Sequence, residues 1–375
     1  MYSKKPSREK IRDIMKVIKT NGDPGFWNRE NSRRLAQGEI DGTNPCGEAA
    51  LRDKQSCNLT TQNLMSFIKE EEGVKSIDWE SLERSTRIVT RIGSRQTLCS
   101  QWHPEWDKVQ KEERLLGVSF TGYGDLVEEL KLNLEDQKAL LIFIKKIALE
   151  EADSYHDKLG IERSFRVTLV KPEGTISLLP GVSSGLHDRY SPFYVKRMRI
   201  SRYDPLALAL RDFGFTPSPE NGQGDDLYNE ACDTWVYSFG VSSNTSRRAI
   251  DVPALEQLER YRLIQDNYCD RGHNASITVT VAEDEWDEVS DWVHDNWDSV
   301  IGITLLQKWD PEGDGKASHP QLPFESSTKE KIQEINKATP KICERTIIDL
   351  LKKYETEYEE QRLEKSCETG ACPVR

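Results

Sequence analysis

The sequence predicts an α/β fold in which parallel strands alternate with helices. Three observations carry that reading. Residues 276–281 alternate strictly, with Ile277, Val279 and Val281 on one face and Ser276, Thr278 and Thr280 on the other, the period-two pattern of a half-buried strand. Residues 134–159 repeat apolar side chains at helical spacing through Leu140, Leu141, Ile144, Ala148 and Tyr155. Residues 165–170 read as a strand that runs straight into two glycine-bearing turns. Strands and helices in alternation are the signature of an α/β architecture.

Taken in order, the first element is a helix carrying Ile11, Ile14, Met15 and Ile18, stopped by Asn21-Gly22. Residues 38–59 lack periodicity and are rich in Gly, Asn and Pro, so they read as a long loop. Helices are expected over 79–92 and 134–159, the second with Asn133 as N-cap. After the strand at 165–170 come the turns Lys171-Pro-Glu-Gly-Thr-Ile-Ser177 and Gly181-Val-Ser-Ser-Gly185. The strand at 276–281 leads to a helix bearing Trp286, Trp292 and Trp297, then to an apolar strand at 301–305. Residues 328–365 are Lys- and Glu-rich and helical in pattern, and 366–375 are small and polar, a mobile end. No internal repeat is visible.

Composition narrows the class. With 36% hydrophobic and 31% charged residues, plus 9 Trp, 12 Tyr and 10 Phe, the 375-residue chain can build a core and is not a disordered one. Its 52 basic and 64 acidic residues give a net charge of -12, which argues against nucleic acid as the main ligand. No apolar run approaches the roughly 18 residues of a membrane span. No apolar segment follows the charges of the first ten residues, so no signal peptide is expected, and the compartment is the reducing cytoplasm. Eight cysteines are too few for a disulfide scaffold, so Cys99, Cys232, Cys269 and Cys343 read as ordinary small residues.

Three constellations stand out. The first is Asn44-Pro-Cys46-Gly-Glu48, with Cys57 inside Ser56-Cys-Asn-Leu59. A thiol two residues from a carboxylate on a Pro/Gly turn can converge with it on one substrate, although the spacing equally fits a loop cysteine beside a solvated glutamate. Neither cysteine has zinc-site spacing or a nearby His. The second is the pair of glycine turns, where Gly174, Thr175, Ser177, Ser183 and Ser184 could cradle an anion or simply join strand to helix. The third is Cys367-Glu-Thr-Gly-Ala-Cys372 near the chain end, which in a reducing compartment reads as a redox shuttle more than a staple.

Together these resemble ribonucleotide reductase, specifically the adenosylcobalamin-dependent (class II) catalytic chain of the monomeric, triphosphate-reducing type. The resemblance rests on motifs in family order: Gly22-Asp-Pro-Gly-Phe26, Asn44-Pro-Cys-Gly-Glu48, Ser56-Cys-Asn-Leu59, the turns at 171–177 and 181–187, Asp266-Asn267 with Ser276-Ile-Thr-Val279, Leu322-Pro-Phe324 and the cysteine tail. It implies a ten-stranded α/β barrel with a finger loop through its centre, of which this chain corresponds to the C-terminal half. Residues 1–327 would form the barrel portion, with the finger loop at about 43–59 and phosphate loops at 171–185. Residues 328–365 would be a helical linker and 366–375 a mobile dithiol tail. No Tyr-Tyr pair occurs, as a class I-type chain would require, and Gly370 lies within the cysteine tail and not in a glycyl-radical motif.

The same resemblance implies roles. Cys46 would be the thiyl radical, Glu48 the general base, and Asn44 a substrate contact. Cys57 would form a redox pair with a cysteine that an N-terminal half, as a separate chain, contributes. Gly174, Thr175, Ser177, Ser183 and Ser184 would bind substrate phosphates, and Cys367 and Cys372 would shuttle electrons from thioredoxin or a similar dithiol. Adenosylcobalamin would start the radical. Glu173 departs from the pattern, standing where a small or hydroxyl residue is common. The alternatives are a class I-type large-chain fragment, a remnant that binds nucleotide or partner without turnover, and a stand-alone thiol oxidoreductase using the tail.

Overall fold

The computed structural model describes residues 5–22, 25–243, 245–246, 248–308 and 321–368, with backbone alone for 360–368. The chain divides into two compact units, Met1–Arg189 with Thr245–Trp309, and Tyr190–Asn244 with Asp310–Arg375. This division differs from the boundary expected at 327, because residues 190–244 build a sheet with the strand near 324.

The first unit opens with α1 (Arg8–Asn21). The Ser7 hydroxyl accepts from the Lys10 N–H at 3.2 Å, and Gly22 ends the helix at φ 71°, a conformation glycine adopts without strain. Next come β1 (Phe26–Trp27), α2 (Arg29–Ala36), β2 (Gly42–Thr43), β3 (Ala50–Leu51) and β4 (Asn58–Asn63). A hairpin of β5 (Ile68–Glu71) and β6 (Val74–Ile77) leads to α3 (Trp79–Gln96), α4 (Pro104–Glu113), β7 (Leu116–Thr121), α5 (Tyr123–Leu130) and α6 (Leu134–Leu159). Helix α6 begins as the sequence predicts: Asn133 Oδ1 accepts from the N–H groups of Glu135 and Asp136 at 2.9 and 3.0 Å.

The second unit takes β8 (Phe193–Ser201), α7 (Pro205–Phe213), β9 (Ser218–Pro219) and β10 (Thr234–Ser242). The first unit resumes with α8 (Ala254–Asn267), β11 (Thr278–Val281), α9 (Trp286–Asp295) and β12 (Gly302–Gln307). Then β13 (Phe324–Ser326), α10 (Lys329–Ala338) and α11 (Glu344–Glu368) complete the second unit. Its sheet has the order β13-β8-β10-β9 and is antiparallel throughout. Its core gathers Ala207, Phe215, Cys232, Trp235 and Tyr237. The helix predicted over 328–365 is two helices, broken around Pro340, which cannot donate a helical hydrogen bond. The second runs to Glu368, so the first residues of the expected mobile end are helical, and 369–375 lie outside the described residues.

Parallel segments give the first unit its frame. β4 pairs with β7 from Asn58↔Leu116 to Asn63↔Thr121. β7, buried along its whole length, lies beside residues 166–170 through the bridge Val118↔Thr168. Those residues bridge to the next segment at Val170↔Ala275, which continues into β11, and β11 pairs with β12 from Thr278↔Thr304 to Val281↔Gln307. β1 adds antiparallel at Phe26↔Ile303. The strand expected at 165–170 forms bridges and not a full ladder, because side chains take one of its donors and that of the residue after it. The Val167 N–H goes to the Asp270 carboxylate at 3.1 Å and the Lys171 N–H to Ser119 Oγ at 2.9 Å. Among the described residues, β4 is paired on the β7 side alone.

A fully buried histidine joins this frame to the start of β3. His273 Nδ1 accepts from the Ala50 N–H and Nε2 donates to the Leu116 carbonyl, each at 3.1 Å. Only the neutral imidazole protonated on Nε2 makes both bonds. Burial, aided by the charge of Arg166, pulls this group from 6.5 down to about 3. Between those values the unfolded chain holds a proton that the folded chain does not, so stability is complete above about pH 6.5 and declines as pH falls. The contribution lost by pH 5 is about 2 kcal/mol. Urea unfolding of the native chain and of His273→Gln at pH 7.5 and 5.0 is expected to show this loss in the native chain and a correspondingly flatter response in the variant. An identical pH response in both would contradict the assignment.

Candidate active site at the thiol loop

The segment read as a loop contains a short hairpin with strands of two residues each. β2 and β3 pair at Gly42↔Leu51 and Thr43↔Ala50, and residues 44–49 project beyond them. Asn44 closes this projection: its Oδ1 accepts from the Ala49 N–H at 3.0 Å, and its carbonyl accepts from the Gly47 N–H at 2.9 Å. Gly47 sits at φ 77°, the left-handed region, with open space around it, so backbone conformation alone demands glycine there.

The loop is fastened from outside by residues 273–276. Ser276 Oγ donates to the Cys46 carbonyl at 2.6 Å, and Asn274 Nδ2 donates to the Gly47 carbonyl at 3.1 Å. The Asn274 N–H donates to the Glu48 carbonyl at 2.9 Å, and His273 takes the Ala50 N–H as described. Asn274 also binds both the N–H and the carbonyl of Gly302 on β12, and its Oδ1 accepts the Tyr261 hydroxyl at 2.9 Å.

This fastening leaves Cys46 exposed at the tip and buries Glu48 completely. Both Glu48 carboxylate oxygens are enclosed without a well-formed hydrogen bond. Burial pushes the Glu48 carboxyl up, against weaker downward pulls from its own backbone, Asn44 and Lys171. The Cys46 thiol is also pushed up, first by desolvation and then by the charge of Glu48. Lys171 and Glu173 act electrostatically on both, so the start of the first glycine turn lies near the thiol and the carboxyl. A buried carboxyl held unpaired beside an accessible thiol is equipped to take a proton from a bound hydroxyl.

Cys57 precedes β4, where Asn58 is locked by a bond from its Nδ2 to the Leu115 carbonyl at 2.8 Å. Its Sγ packs against Gly117 on β7: a Cβ on Gly117 would stand 2.9 Å from Cys57 Sγ and 2.4 Å from Leu59 Cδ2. Burial, and then Glu48, push the Cys57 thiol up, while Arg166 pulls it down.

The two glycine turns interlock. Ser184 Oγ donates to the Pro172 carbonyl at 2.5 Å, and a Cβ on Gly185 would lie 2.6 Å from the Lys171 carbonyl oxygen. Ser183 is buried and engaged with Asp125, its N–H donating to the carboxylate at 2.9 Å and its Oγ accepting from the Asp125 N–H at 3.2 Å. Ser177 is buried too, whereas Gly174 and Thr175 are exposed. Glu173 is turned inward at φ 59° and accepts a hydrogen bond from Thr61 Oγ1. The carboxylate that looked misplaced in the sequence is thus bound to β4.

The structure brings Asn44, Cys46, Glu48, Cys57 and the 171–175 turn to one region of the first unit. Cys367 lies in the last turn of α11 with backbone alone described, and Cys372 lies outside the described residues. Sequence reasoning missed His273, Asn274 and Gly117. The alternation ending at Ser276 marked the strand but gave no hint that the residues before it grip a loop more than 220 positions upstream.

Residues 2–150 match the family model described as ribonucleotide reductase, barrel domain. Among curated proteins, the chain is 27% identical to an adenosylcobalamin-dependent ribonucleoside-triphosphate reductase of Lactobacillus gasseri, over 98% of this chain and 51% of that one. The corresponding figures for the like-named protein of Levilactobacillus brevis are 28%, 96% and 50%, and for a putative one of Mycobacterium phage D29 they are 26%, 99% and 52%. The chain therefore spans about half the length of the curated relatives it matches. Among solved structures, a B12-dependent (class II) ribonucleotide reductase superposes with a TM-score of 0.75 at 22% identity, covering 91% of this chain and 50% of that one. The Actinobacillus ureae class Id alpha subunit reaches 0.54 at 14% identity, covering 81% and 61%. These likenesses show a shared fold.

The close approach at Gly117 generates a prediction. Gly117→Ala must displace Leu59 or Cys57, at a cost of about 1–3 kcal/mol. Denaturant unfolding is expected to show that loss, and the alkylation rate of Cys57 to change with it. Unaltered stability together with an unaltered rate would show that the packing is loose.

Proposed function

This chain carries a ribonucleotide reductase barrel domain, and from that premise we propose that it reduces ribonucleotides to 2′-deoxyribonucleotides by thiyl-radical chemistry at Cys46. The observation that carries the reading is the juxtaposition of an exposed Cys46 with a buried, unpaired Glu48 whose carboxyl is pushed up. The names of the relatives support ribonucleoside triphosphates as the substrate class and adenosylcobalamin as the cofactor.

The site fits that cofactor in one respect: Cys46 is accessible at a loop tip, where a radical generated outside the loop can reach it. Adenosylcobalamin, when bound, supplies that radical by homolysis of its cobalt–carbon bond. The residues of this chain do the rest. Cys46, as a thiyl radical, abstracts the hydrogen from the 3′ carbon of ribose. Glu48 takes the 3′-hydroxyl proton, which eases departure of the 2′-hydroxyl as water. Asn44, whose amide oxygen closes the loop and whose side chain acts on Glu48, contacts the sugar. Gly174 and Thr175, exposed on the first turn, contact the phosphates. Ser177, Ser183 and Ser184 shape the turns from behind.

Cys57 supplies one of the two reducing thiols. The other comes from the portion of the relatives that this chain does not span, provided by a separate N-terminal half. That half also pairs with β4, whose second side has no strand among the described residues. Cys367 and Cys372 return electrons from thioredoxin or a comparable dithiol to the spent disulfide.

The test is product formation from CTP or ATP with adenosylcobalamin, with and without the complementary half. Activity is expected only from the combination. Cys46→Ser abolishes it, and Glu48→Gln lowers turnover by about a hundredfold or more. The Cys367→Ser, Cys372→Ser double variant retains one turnover and stops under thioredoxin, yet continues in part with a small dithiol. Full activity of Cys46→Ser would overturn the assignment of the radical thiol.

A further inference from the structure

The reading above uses Cys57 and leaves unexplained the buried cation behind it. Arg166 is fully buried, yet its guanidinium is only partly matched. Nη2 donates to Glu113 at 3.0 Å and to Gln55 at 3.1 Å, while Nε and Nη1 are enclosed without a partner. Phe165 lies beneath the guanidinium, 5.2 Å from ring centroid to Cζ. A buried cation with two idle donors is expensive and calls for an explanation, of which a redox role is one.

The local structure places it near the redox thiol. Arg166 is on the segment beside β7, its carbonyl accepting from the Leu116 N–H at 3.0 Å. The next residue of β7, Gly117, is the one against which Cys57 Sγ packs. Gln55, two positions before Cys57, is bound at once to Arg166 and to Glu113. The charged and titratable groups acting on Arg166 are Glu113, Cys57, Asp270 and Arg52, and His273 responds to it from the next segment. Those acting on Cys57 are Glu48, which disfavours a thiolate, and Arg166, which favours it.

We propose that Arg166 is the positioning cation for Cys57, offsetting the negative charge that its sulfur takes up each time the active-site disulfide is opened. The step balances as ordinary exchange. A thiolate of the incoming dithiol attacks the sulfur paired with Cys57, the S–S bond breaks, and its electron pair leaves on Cys57 Sγ. The second thiol of that dithiol then resolves the mixed disulfide, leaving the reductant oxidised by two electrons and the active-site pair reduced. The rate of the first step depends on how well the leaving sulfur carries negative charge. A desolvated site disfavours that charge, and a fixed guanidinium with free N–H groups compensates it. Glu113 tunes the compensation by neutralising part of the cation.

This inference rests on the redox role given to Cys57, and its test reads thiol reactivity and not turnover, so the two can fail separately. In the 375-residue chain with Cys46, Cys99, Cys343, Cys367 and Cys372 changed to Ser, the rate of reaction with 5,5′-dithiobis(2-nitrobenzoate) is followed from pH 6 to 10. Adding Cys57→Ser identifies the Cys57 phase. Arg166→Met is expected to slow that phase about tenfold at a given pH and to move its profile alkaline by about one unit. Arg166→Lys restores part of the rate. Glu113→Gln acts oppositely, moving the profile acid, which a merely structural role for either residue would not produce. Should Arg166→Met fail to fold, the direction of the Glu113→Gln shift decides alone. Superimposable profiles for Arg166→Met or Glu113→Gln and the parent, or an alkaline shift in Glu113→Gln, would overturn the proposal and leave the reductase reading intact.

Discussion

The hydrogen bonds between residues 273–276 and the loop at 46–50 are the constraint on which the site depends. A projecting turn of six residues closed by one asparagine has little stability of its own, since ordering it costs about 1–2 kcal/mol per residue. Here three successive carbonyls, those of Cys46, Gly47 and Glu48, and the N–H of Ala50 are each taken by a side chain or backbone group of the segment leading into β11. The segment is itself rigid because Asn274 is saturated by Tyr261 and Gly302 and because His273 reaches β7. The parallel frame therefore extends through the side chains of His273, Asn274 and Ser276 into the loop, and Cys46 is held at its tip by the Ser276 hydroxyl on its own carbonyl.

Fixing the loop in this way determines the electrostatics. With its backbone fixed, Glu48 carries a fully buried carboxyl, and that burial raises its affinity for a proton. Glu173, in a left-handed backbone conformation and bonded to Thr61, adds a second negative group to the same region, which further disfavours a Cys46 thiolate. A neutral thiol suits loss of a hydrogen atom, the chemistry proposed above for Cys46. Burial and Glu48 act in the same direction on both thiols, and a different cation opposes them at each, Lys171 at Cys46 and Arg166 at Cys57.

Much of the frame was legible in the sequence, and the reasons are local. Asn133 and Gly22 cap helices by chemistry that acts within four residues, and the alternation at 276–281 is a property of one strand. The loop motif was visible because Pro45, Gly47 and Glu48 surround a single cysteine. Long-range features were not. No period marks Gly117, whose requirement comes from a sulfur on the neighbouring strand, and none marks His273, whose tautomer is set by Ala50 and Leu116. The second unit was also illegible as a unit, because β8 and β13 are paired across more than 120 residues. Ser177 and Ser183 show the opposite hazard: hydroxyls in a glycine turn suggested anion contacts, and the structure buries both, with Ser183 bound to Asp125.

The most direct test of this account is amide hydrogen exchange in the loop. The Ala49 and Ala50 N–H groups are hydrogen-bonded only because Asn44 and His273 face them. The account predicts that both are protected in the native chain, and that Asn274→Ala accelerates their exchange strongly while α6 keeps its native protection. If the loop amides exchanged at the same rate in Asn274→Ala as in the native chain, the loop would be rigid without its clasp, and the central claim would be wrong.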